Sequence, residues 1–176
     1  MSSVSADDIR AAIRNVPDFP KPGIQFKDIT PVLGDARLFA GAVELLIGPH
    51  AASRIDAVVG IDARGFIFAA AAAQKLHTAF VPIRKKGKLP HTTFEESYDL
   101  EYGSNTIAIH ADAVRPGARV LLLDDLLATG GTAAAAIALL TKLGAHIVEI
   151  GFLIELGFLN GRAKLGSYPV RSIITY

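Results

Sequence analysis

Cysteine is absent from this chain of 176 residues, which excludes disulfide bonds and thiolate metal sites. The five histidines stand far apart, at positions 50, 77, 91, 110 and 146, and none of them has the close spacing of a zinc site. We therefore expect no metal site built from a dedicated set of protein side chains.

A net charge is also nearly absent, since 18 Lys and Arg stand against 17 Asp and Glu. Binding to duplex DNA usually requires a clearly basic face, so this balance argues against a nucleic-acid partner. The longest apolar runs are interrupted by Arg64, Gly130 or Glu155, and none approaches the length of a membrane span. The polar, acidic N-terminus does not resemble a secretory signal. We expect a cytoplasmic protein without a membrane partner.

Short β-branched runs alternate with longer helical patterns, which predicts an α/β fold made of βαβ units. A hydrophobic fraction of 51% is typical of such a fold with a buried parallel sheet. No repeat, linker or shift in composition marks a second domain, so we predict a single domain over residues 1–176.

The sequence predicts the following elements. Expected helices run from a Ser5 cap to about Val16, from an Asp35 cap to about Ile47, over Arg64–Leu76, over Thr132–Leu143 and near Asn160–Leu165. Expected strands are Asp56–Asp62, Ala79–Arg84, Glu101–Gly103, Thr106–His110, Arg119–Leu123, His146–Glu155 and Val170–Thr175. Residues 17–23 should be extended and turning, because they hold three prolines and a glycine. Residues 85–100 show no regular pattern and are expected to form a long loop.

The most informative segment is VLLLDDLLATGGT, residues 120–132. An apolar strand is followed by Asp124 and Asp125 at its carboxyl end, where ligands bind in open α/β sheets. The next residues, Ala128, Thr129, Gly130, Gly131 and Thr132, lead into a helix. Small residues there allow backbone N–H groups to face an anion, and the helix N-terminus adds a partial positive charge.

The order of these features indicates the ligand. The threonine-glycine turn suits a phosphate, and two carboxylates just before it suit the vicinal hydroxyls of a sugar. A ribose 5-phosphate satisfies both ends. The alternative is that the two acids only end a strand and cap a helix, with the glycines forming a tight turn. A double acid or a double glycine alone would favour that alternative, whereas the complete set favours the sugar phosphate.

This segment closely resembles the PRPP-binding motif of the type I phosphoribosyltransferases. The stretches DFPKPGIQFKDITPVL, IDARGF, IRKKGKLP and YDLEYG resemble the adenine-specific members of that family in particular. The resemblance runs from about Pro17 to the last strand. It implies a central, mostly parallel sheet flanked by helices with a small hood near the ligand. It also implies transfer of the phosphoribosyl group of PRPP to adenine, with release of pyrophosphate.

The resemblance assigns further residues to the pyrophosphate side of the site. It implies that Arg64 and the backbone of the turn after Asp62 bind pyrophosphate, and that Asp62–Ala63 is a candidate for a cis peptide bond. Without the resemblance, the residues themselves favour the interpretation of Arg64 as an ordinary surface arginine beside a glycine turn. Four cations lie within residues 84–88, and the resemblance implies that Arg84 or Lys88 reaches the site of a neighbouring subunit in a homodimer.

The resemblance also implies a catalytic glutamate and a base pocket. Glu101 matches the glutamate that closes over the reacting centre in similar enzymes, where a carboxylate can stabilise an oxocarbenium-like transition state or handle the purine proton. Gln25, Phe26 and Lys27 match the adenine-binding segment, with Phe26 expected to stack on the base. Two of these residues differ from the usual pattern of the family. Lys27 stands where arginine is common, and Gln25 stands where an aliphatic residue is common.

Mg²⁺ is the implied cofactor, held mainly by PRPP oxygens and water, since it prefers hard oxygen ligands. Two other functions remain open at this stage. The same reaction with xanthine, hypoxanthine or orotate is one. A non-catalytic PRPP-sensing regulator is the other, although the chain has neither spare length nor net charge for a nucleic-acid-binding element.

Overall fold

The computed structural model describes residues 3–99 and 104–176. Their contacts divide the chain into two compact units, Met1–Leu45 and Leu46–Tyr176. The five α-helices of the described residues are α1 (Ala6–Ala12), α2 (Thr30–Gly34), α3 (Ala36–Ile47), α4 (Arg64–Lys75) and α5 (Gly131–Lys142). The strands are β1 (Arg14–Pro17), β2 (Gln25–Asp28), β3 (Ala57–Ile61), β4 (Ala79–Lys85), β5 (Thr93–Asp99), β6 (Ser104–His110), β7 (Arg119–Leu127), β8 (His146–Glu155) and β9 (Val170–Thr175). Short 3₁₀ helices cover Gly48–His50, Gly157–Leu159 and Gly161–Lys164.

The unit Met1–Leu45 begins with a capped helix. Ser5 and Asp8 form a capping box at the start of α1, in which each side chain bonds to the backbone of the other residue. Asp35 caps α3 by accepting hydrogen bonds from the backbone N–H groups of Arg37 (2.8 Å) and Leu38 (3.0 Å). Between these helices, β1 and β2 form an antiparallel pair.

The unit Leu46–Tyr176 is built on a seven-stranded sheet in the order β5-β6-β4-β3-β7-β8-β9. The five strands β4, β3, β7, β8 and β9 run parallel, whereas β5 and β6 are antiparallel to their neighbours at one edge. This is the mostly parallel sheet that the alternation of strands and helices predicts.

The core lies on both faces of this sheet, because its central strands are apolar along their whole length. Val59 and Leu122 share a buried cluster with the leucines and alanines of α5. The alternate residues of β3 and β7, among them Gly60, face α4, where a Cβ on Gly60 would lie 2.7 Å from Ala69 Cβ. The missing side chain therefore brings α4 close to the sheet beside the carboxyl end of β3.

Three expectations about local structure are wrong. Helix α1 ends at Ala12 and not near Val16, because residues 14–17 pair with β2 in the register Val16↔Phe26. Residues 85–100 are not one long loop, since Thr93–Asp99 forms β5 and pairs with β6 along its length. The strand of the 120–132 motif continues past Leu123 to Leu127. The expected strand Glu101–Gly103 lies outside the described residues.

Within the described ranges 3–99 and 104–176, no helix combines the length and the apolar character needed to cross a bilayer. The prediction of a single domain and that of a hood near the ligand stay predictions.

Candidate active site

The sheet has a topological switch point between β3 and β7. From β3 the chain proceeds through α4 to β4 on one side, whereas β7 continues through α5 to β8 on the other. Because the helices leave in opposite directions, a crevice forms outside the carboxyl ends of these two strands, and ligands of open α/β sheets bind in such crevices. Residues 62–65 follow β3 at this edge, and Asp124 and Asp125 lie in the carboxyl half of β7.

Asp125 is largely withdrawn from water, and Asp124 beside it is partly exposed. Asp125 is 6% exposed, and its backbone N–H donates to Asp124 Oδ1 over 2.9 Å. Burial, followed by the negative charge of Asp125, raises the pKa of Asp124 well above its usual range. Burial raises the pKa of Asp125 as well, and the guanidinium of Arg64 offsets part of that rise. The crevice thus holds two carboxyl groups whose ionised forms lack full solvation, ready to accept hydrogen bonds from a ligand.

The turn after β7 forms a concave surface next to these carboxyl groups. Asp124, Leu126 and residues 127–133 line it together with Phe152 of β8. Gly130 has φ of +80° and precedes α5, whose first residue is Gly131. Only glycine adopts this left-handed backbone conformation easily. The backbone N–H groups of the first turn of α5 have no partner within the helix, so the turn can bind an anion.

The turn after β3 brings a cation to the same crevice. The peptide bond Asp62–Ala63 is cis, as the resemblance implies. Arg64 begins α4, and its Nε lies 2.8 Å from Asp125 Oδ2. That oxygen accepts no hydrogen bond of standard geometry from the described residues, so we treat the contact as electrostatic. Arg64, predicted to bind the pyrophosphate, and Asp125, predicted to bind the ribose hydroxyls, are therefore in direct contact.

Gly65 allows this approach, although the sequence alone does not identify it as a site residue. A Cβ at position 65 would lie 2.6 Å from Asp124 Oδ1 and 3.2 Å from the backbone oxygen of Leu123. Only a residue without a side chain lets the first turn of α4 pass so close to the acidic end of β7. The signal in the sequence is the glycine directly after Arg64, although nothing local identifies Asp124 as its neighbour.

The cationic segment 84–88 lies at the end of β4, on the other side of β3. Arg84 Nε is 3.1 Å from Asp62 Oδ2, and its Nη1 donates to the backbone oxygen of Lys88 over 3.3 Å. Lys86 pairs instead with Glu95 of β5, over 2.7 Å. The structure thus connects Arg84 to the cis turn and to Lys88, both of which the sequence analysis assigned to the pyrophosphate side.

The model of the phosphoribosyl transferase domain matches residues 36–170. Adenine phosphoribosyltransferase of Rhodopseudomonas palustris is 53% identical over 178 aligned residues, which cover 100% of this chain and 98% of the relative. The chain belongs to the phosphoribosyltransferase family. The adenine phosphoribosyltransferase of Bradyrhizobium diazoefficiens is likewise 53% identical, with 96% of each chain covered.

Solved structures of this family share the fold. Adenine phosphoribosyltransferase of Thermoanaerobacter pseudethanolicus has a TM-score of 0.94 and 48% identity, covering 98% of this chain and 100% of its own. The enzyme of Saccharomyces cerevisiae, crystallised with adenine and an imino-altritol bisphosphate, has a TM-score of 0.91 and 39% identity, covering 96% and 97%. The predicted α/β phosphoribosyltransferase fold is confirmed.

The geometry of this crevice does not test two groups of predicted residues. Glu101 lies outside the described residues. Gln25, Phe26 and Lys27 belong to β2 in the unit Met1–Leu45. Within that unit, Phe26 packs edge-on against Phe19 with ring centroids 5.1 Å apart, and Lys27 Nζ donates to Asn15 Oδ1 over 2.6 Å. Their predicted roles in this phosphoribosyltransferase stay predictions.

The raised pKa of Asp124 predicts a pH-dependent effect on stability. Because the folded pKa lies above the unfolded one, the folded state retains this proton to higher pH, and ionisation destabilises the fold as the pH rises through the folded pKa. Without Mg²⁺ and PRPP, Asp124→Asn should leave Tm nearly unchanged at pH 4 and raise it at pH 8. A tenfold difference between the acid dissociation constants of the folded and unfolded states corresponds to about 1.4 kcal/mol, or about 3–6 °C in Tm for a chain of this size.

Thermal unfolding followed by circular dichroism between pH 4 and pH 8 measures this effect. Asp112→Asn is the matched control, because Asp112 is exposed and the substitution removes the same charge outside the crevice. Curves of Tm against pH that run parallel for wild type and Asp124→Asn would contradict a carboxylate whose ionisation destabilises the fold.

Proposed function

We propose that this chain is an adenine phosphoribosyltransferase, which transfers the 5-phosphoribosyl group of PRPP to adenine and gives AMP and pyrophosphate. The observation that carries the proposal is the position of two carboxyl groups and a threonine-glycine turn side by side at the switch point of the sheet. The identity of about 53% over the full length to curated adenine phosphoribosyltransferases supports the choice of base, as does the presence of adenine in the yeast crystal.

In this proposal each part of the crevice holds one part of PRPP. Asp124 and Asp125 accept hydrogen bonds from the ribose hydroxyls, whose O–H groups compensate the poor solvation of the carboxylates. The backbone N–H groups of Ala128, Thr129, Gly130, Gly131 and Thr132, together with the two threonine hydroxyls, bind the 5-phosphate. Both sets of groups belong to one segment, because Asp124 and Asp125 lie in β7 and the turn follows that strand directly.

Arg64, Arg84 and Lys88 receive the pyrophosphate. Before PRPP binds, Arg64 is in contact with Asp125. The negative charge of PRPP and that of Asp125 therefore compete for one guanidinium. Cations that face the leaving group lower the free energy of the charge that develops on it in the transition state. We also assign backbone N–H groups of the turn of residues 62–65 to the pyrophosphate.

The chemical step is a displacement at C1′ of the ribose, with inversion. A ring nitrogen of adenine forms a bond to C1′, the bond from C1′ to the pyrophosphate oxygen breaks with its electron pair, and the purine loses a proton. We assign Glu101 to this centre, as the carboxylate that stabilises the cationic sugar or accepts the proton. Gln25, Phe26 and Lys27 are assigned to adenine, with Phe26 stacking on its face and the backbone of β2 reading its edge.

Mg²⁺ fits this arrangement as a cofactor held mainly through PRPP. The described residues contain no cluster of three or more His, Asp or Glu side chains that would hold a metal ion by themselves. Mg²⁺ typically keeps several waters and binds substrate phosphates with one or two carboxylates, and Asp124 and Asp125 are the carboxylates at hand. When bound, the ion supplies positive charge that neutralises the pyrophosphate.

A nucleotide assay tests the proposed function. The purified protein is mixed with Mg²⁺, PRPP and one of adenine, hypoxanthine, xanthine or orotate, and the product is identified by chromatography together with released pyrophosphate. We expect AMP from adenine and little nucleotide from the other bases, because a pocket that hydrogen-bonds one base leaves buried groups unpaired with another. A different nucleotide would change the base, and PRPP binding without any nucleotide would indicate a regulator.

We further propose that the protein is a cytoplasmic homodimer in which the segment 84–88 reaches the neighbouring site. The exposed cations of this segment and the resemblance to the family support the proposal. Sedimentation velocity at micromolar concentration measures the assembly, and a monomer at concentrations that give full activity would overturn it.

A further inference from the structure

The phosphate-binding turn is supported from behind by a segment that is distant in the sequence. The 3₁₀ helix Gly161–Lys164 follows β8 by a few residues, and its first residue, Gly161, is buried. A Cβ at Gly161 would lie 3.0 Å from the backbone nitrogen of Gly130 and would overlap the backbone oxygen of Ala128. Two backbones therefore touch with no side chain between them.

The contact requires glycine on both sides. A Cβ on Gly130 would lie 3.0 Å from the backbone carbon of Gly161 and would overlap its oxygen. Both clashes are with backbone atoms, so a rotamer change cannot relieve them. A side chain at either position must move the peptide units of residues 128–130, and these are the units whose N–H groups face the proposed 5-phosphate.

An ion pair fixes the segment that carries Gly161. Arg162 donates to the buried carboxylate of Glu155 through Nε (2.9 Å) and Nη2 (2.7 Å), and to the backbone oxygen of Val170 through Nη1 (2.7 Å). Ser172 donates to the same carboxylate over 2.6 Å. Arg162 lowers the pKa of Glu155 by hydrogen bonding. The planar guanidinium of Arg162 links Glu155, the last residue of β8, to Val170, the first residue of β9. These bonds restrict the backbone movement of the adjacent Gly161.

We propose that Gly161, held by the Arg162–Glu155 ion pair, is a positioning residue for the phosphate-binding turn of residues 128–132. It touches no substrate and acts by defining the plane of the peptide units at Ala128 and Gly130. The inference rests on the proposed function, since it assumes that this turn binds the 5-phosphate of PRPP. It predicts that a substitution at position 161 weakens phosphate binding more than it lowers the stability of the fold.

Gly161→Ala is the direct test. We expect KM for PRPP and Kd for ribose 5-phosphate, measured by calorimetry, to rise about tenfold or more, while KM for adenine stays within about threefold. A backbone N–H group that is moved out of position loses much of the free energy of its hydrogen bond to the charged phosphate. This loss accounts for the expected tenfold rise. A merely structural role would lower Tm and the active fraction and leave KM and Kd unchanged. Gly34→Ala is the matched control, because a Cβ there meets nothing within 4 Å.

A second pair of variants covers the case in which Gly161→Ala fails to fold. Arg162→Lys keeps the charge and loses the fork of hydrogen bonds, whereas Arg162→Ala loses both. We expect Kd for ribose 5-phosphate to rise in the order wild type, Arg162→Lys, Arg162→Ala. Wild-type Kd in folded Gly161→Ala, or in both Arg162 variants, would overturn the inference.

The two proposals fail in different ways. If the wild-type protein forms no AMP, the proposed function fails, and Kd for ribose 5-phosphate in the variants still decides whether Gly161 positions the turn. If the wild-type protein forms AMP and the variants bind ribose 5-phosphate normally, only the role of Gly161 is refuted.

Discussion

Asp124→Asn combined with Asp125→Asn is expected to raise KM for PRPP about 100-fold or more, with a smaller effect on kcat. A hydrogen bond to a charged group contributes about 1.5–3 kcal/mol, and two of them are lost when amides replace the carboxylates. The ribose hydroxyls are bound in the ground state and in the transition state alike, so the loss appears mainly in KM. Steady-state kinetics at varied PRPP and saturating adenine measure it.

The fold should tolerate this double substitution. Asparagine keeps the volume of aspartate, and a neutral amide is easier to bury than a carboxylate whose pKa burial has raised. Asp112→Asn again serves as the control for the change in charge. A double variant with the wild-type KM for PRPP and an unchanged circular dichroism spectrum would refute the assignment of the two carboxylates to the ribose.

The single variants should not add up to the double one. Asp125→Asn removes the negative charge that lies 2.8 Å from Arg64 Nε, so this charge no longer competes with the pyrophosphate for the guanidinium. Asp124→Asn leaves that contact in place. Because the two carboxyl groups and Arg64 form one electrostatic cluster, we expect Asp125→Asn to raise KM for PRPP less than Asp124→Asn does.

The sequence predicts those parts of the site that are local in the chain. Asp124, Asp125 and the turn of residues 128–132 follow one another within a single strand–turn–helix segment, so their order alone indicates a sugar phosphate. Strand β8 and strand β9 also agree with the sequence prediction at both ends, because apolar and β-branched runs there are bounded by turn residues.

Contacts between distant segments could not be predicted. Arg64 meets Asp125 only because β3 and β7 are parallel neighbours in the register Gly60↔Leu123, which a single sequence does not specify. The close approach of Gly161 to Gly130 has the same origin, since it depends on where the segment after β8 returns to the sheet. A glycine inside a 3₁₀ turn carries no local sign of such a contact.

Strand β5 was missed for a different physical reason. Its sequence TFEESYD carries charged and polar residues on both faces, so it lacks the alternation of a half-buried strand. It is an edge strand that pairs only with β6, and Lys142 of α5 binds its Glu96 over 2.6 Å. Pairing and ion pairs stabilise it together with Tyr98, which packs against the hydrophobic core. Strand β1 shows the reverse error, because its residues continue a helical spacing and yet pair with β2.

Glu101→Ala is expected to lower kcat about 100- to 1000-fold while KM for PRPP changes by less than about threefold. Positioned acid–base groups typically contribute factors of about 10²–10⁴ in rate, and a group that acts only on the reacting centre affects the transition state more than the bound substrate. The position of Glu101 lies outside the described residues, between Asp99 and Ser104, which pair across β5 and β6. Single-turnover kinetics with PRPP bound in advance measure the chemical step directly.

Glu95→Gln is the matched control, because Glu95 is an exposed carboxylate on β5 that pairs with Lys86, and exposed ion pairs contribute about 0–1 kcal/mol. It should keep the wild-type rate, and a wild-type rate in Glu101→Ala would remove the catalytic assignment. A solvent isotope effect on the wild-type protein then separates the two chemical roles. If the carboxylate accepts the purine proton, the single-turnover rate should be lower in D2O than in H2O, because a proton moves in the transition state. If its charge only stabilises the cationic sugar, the two rates should be equal.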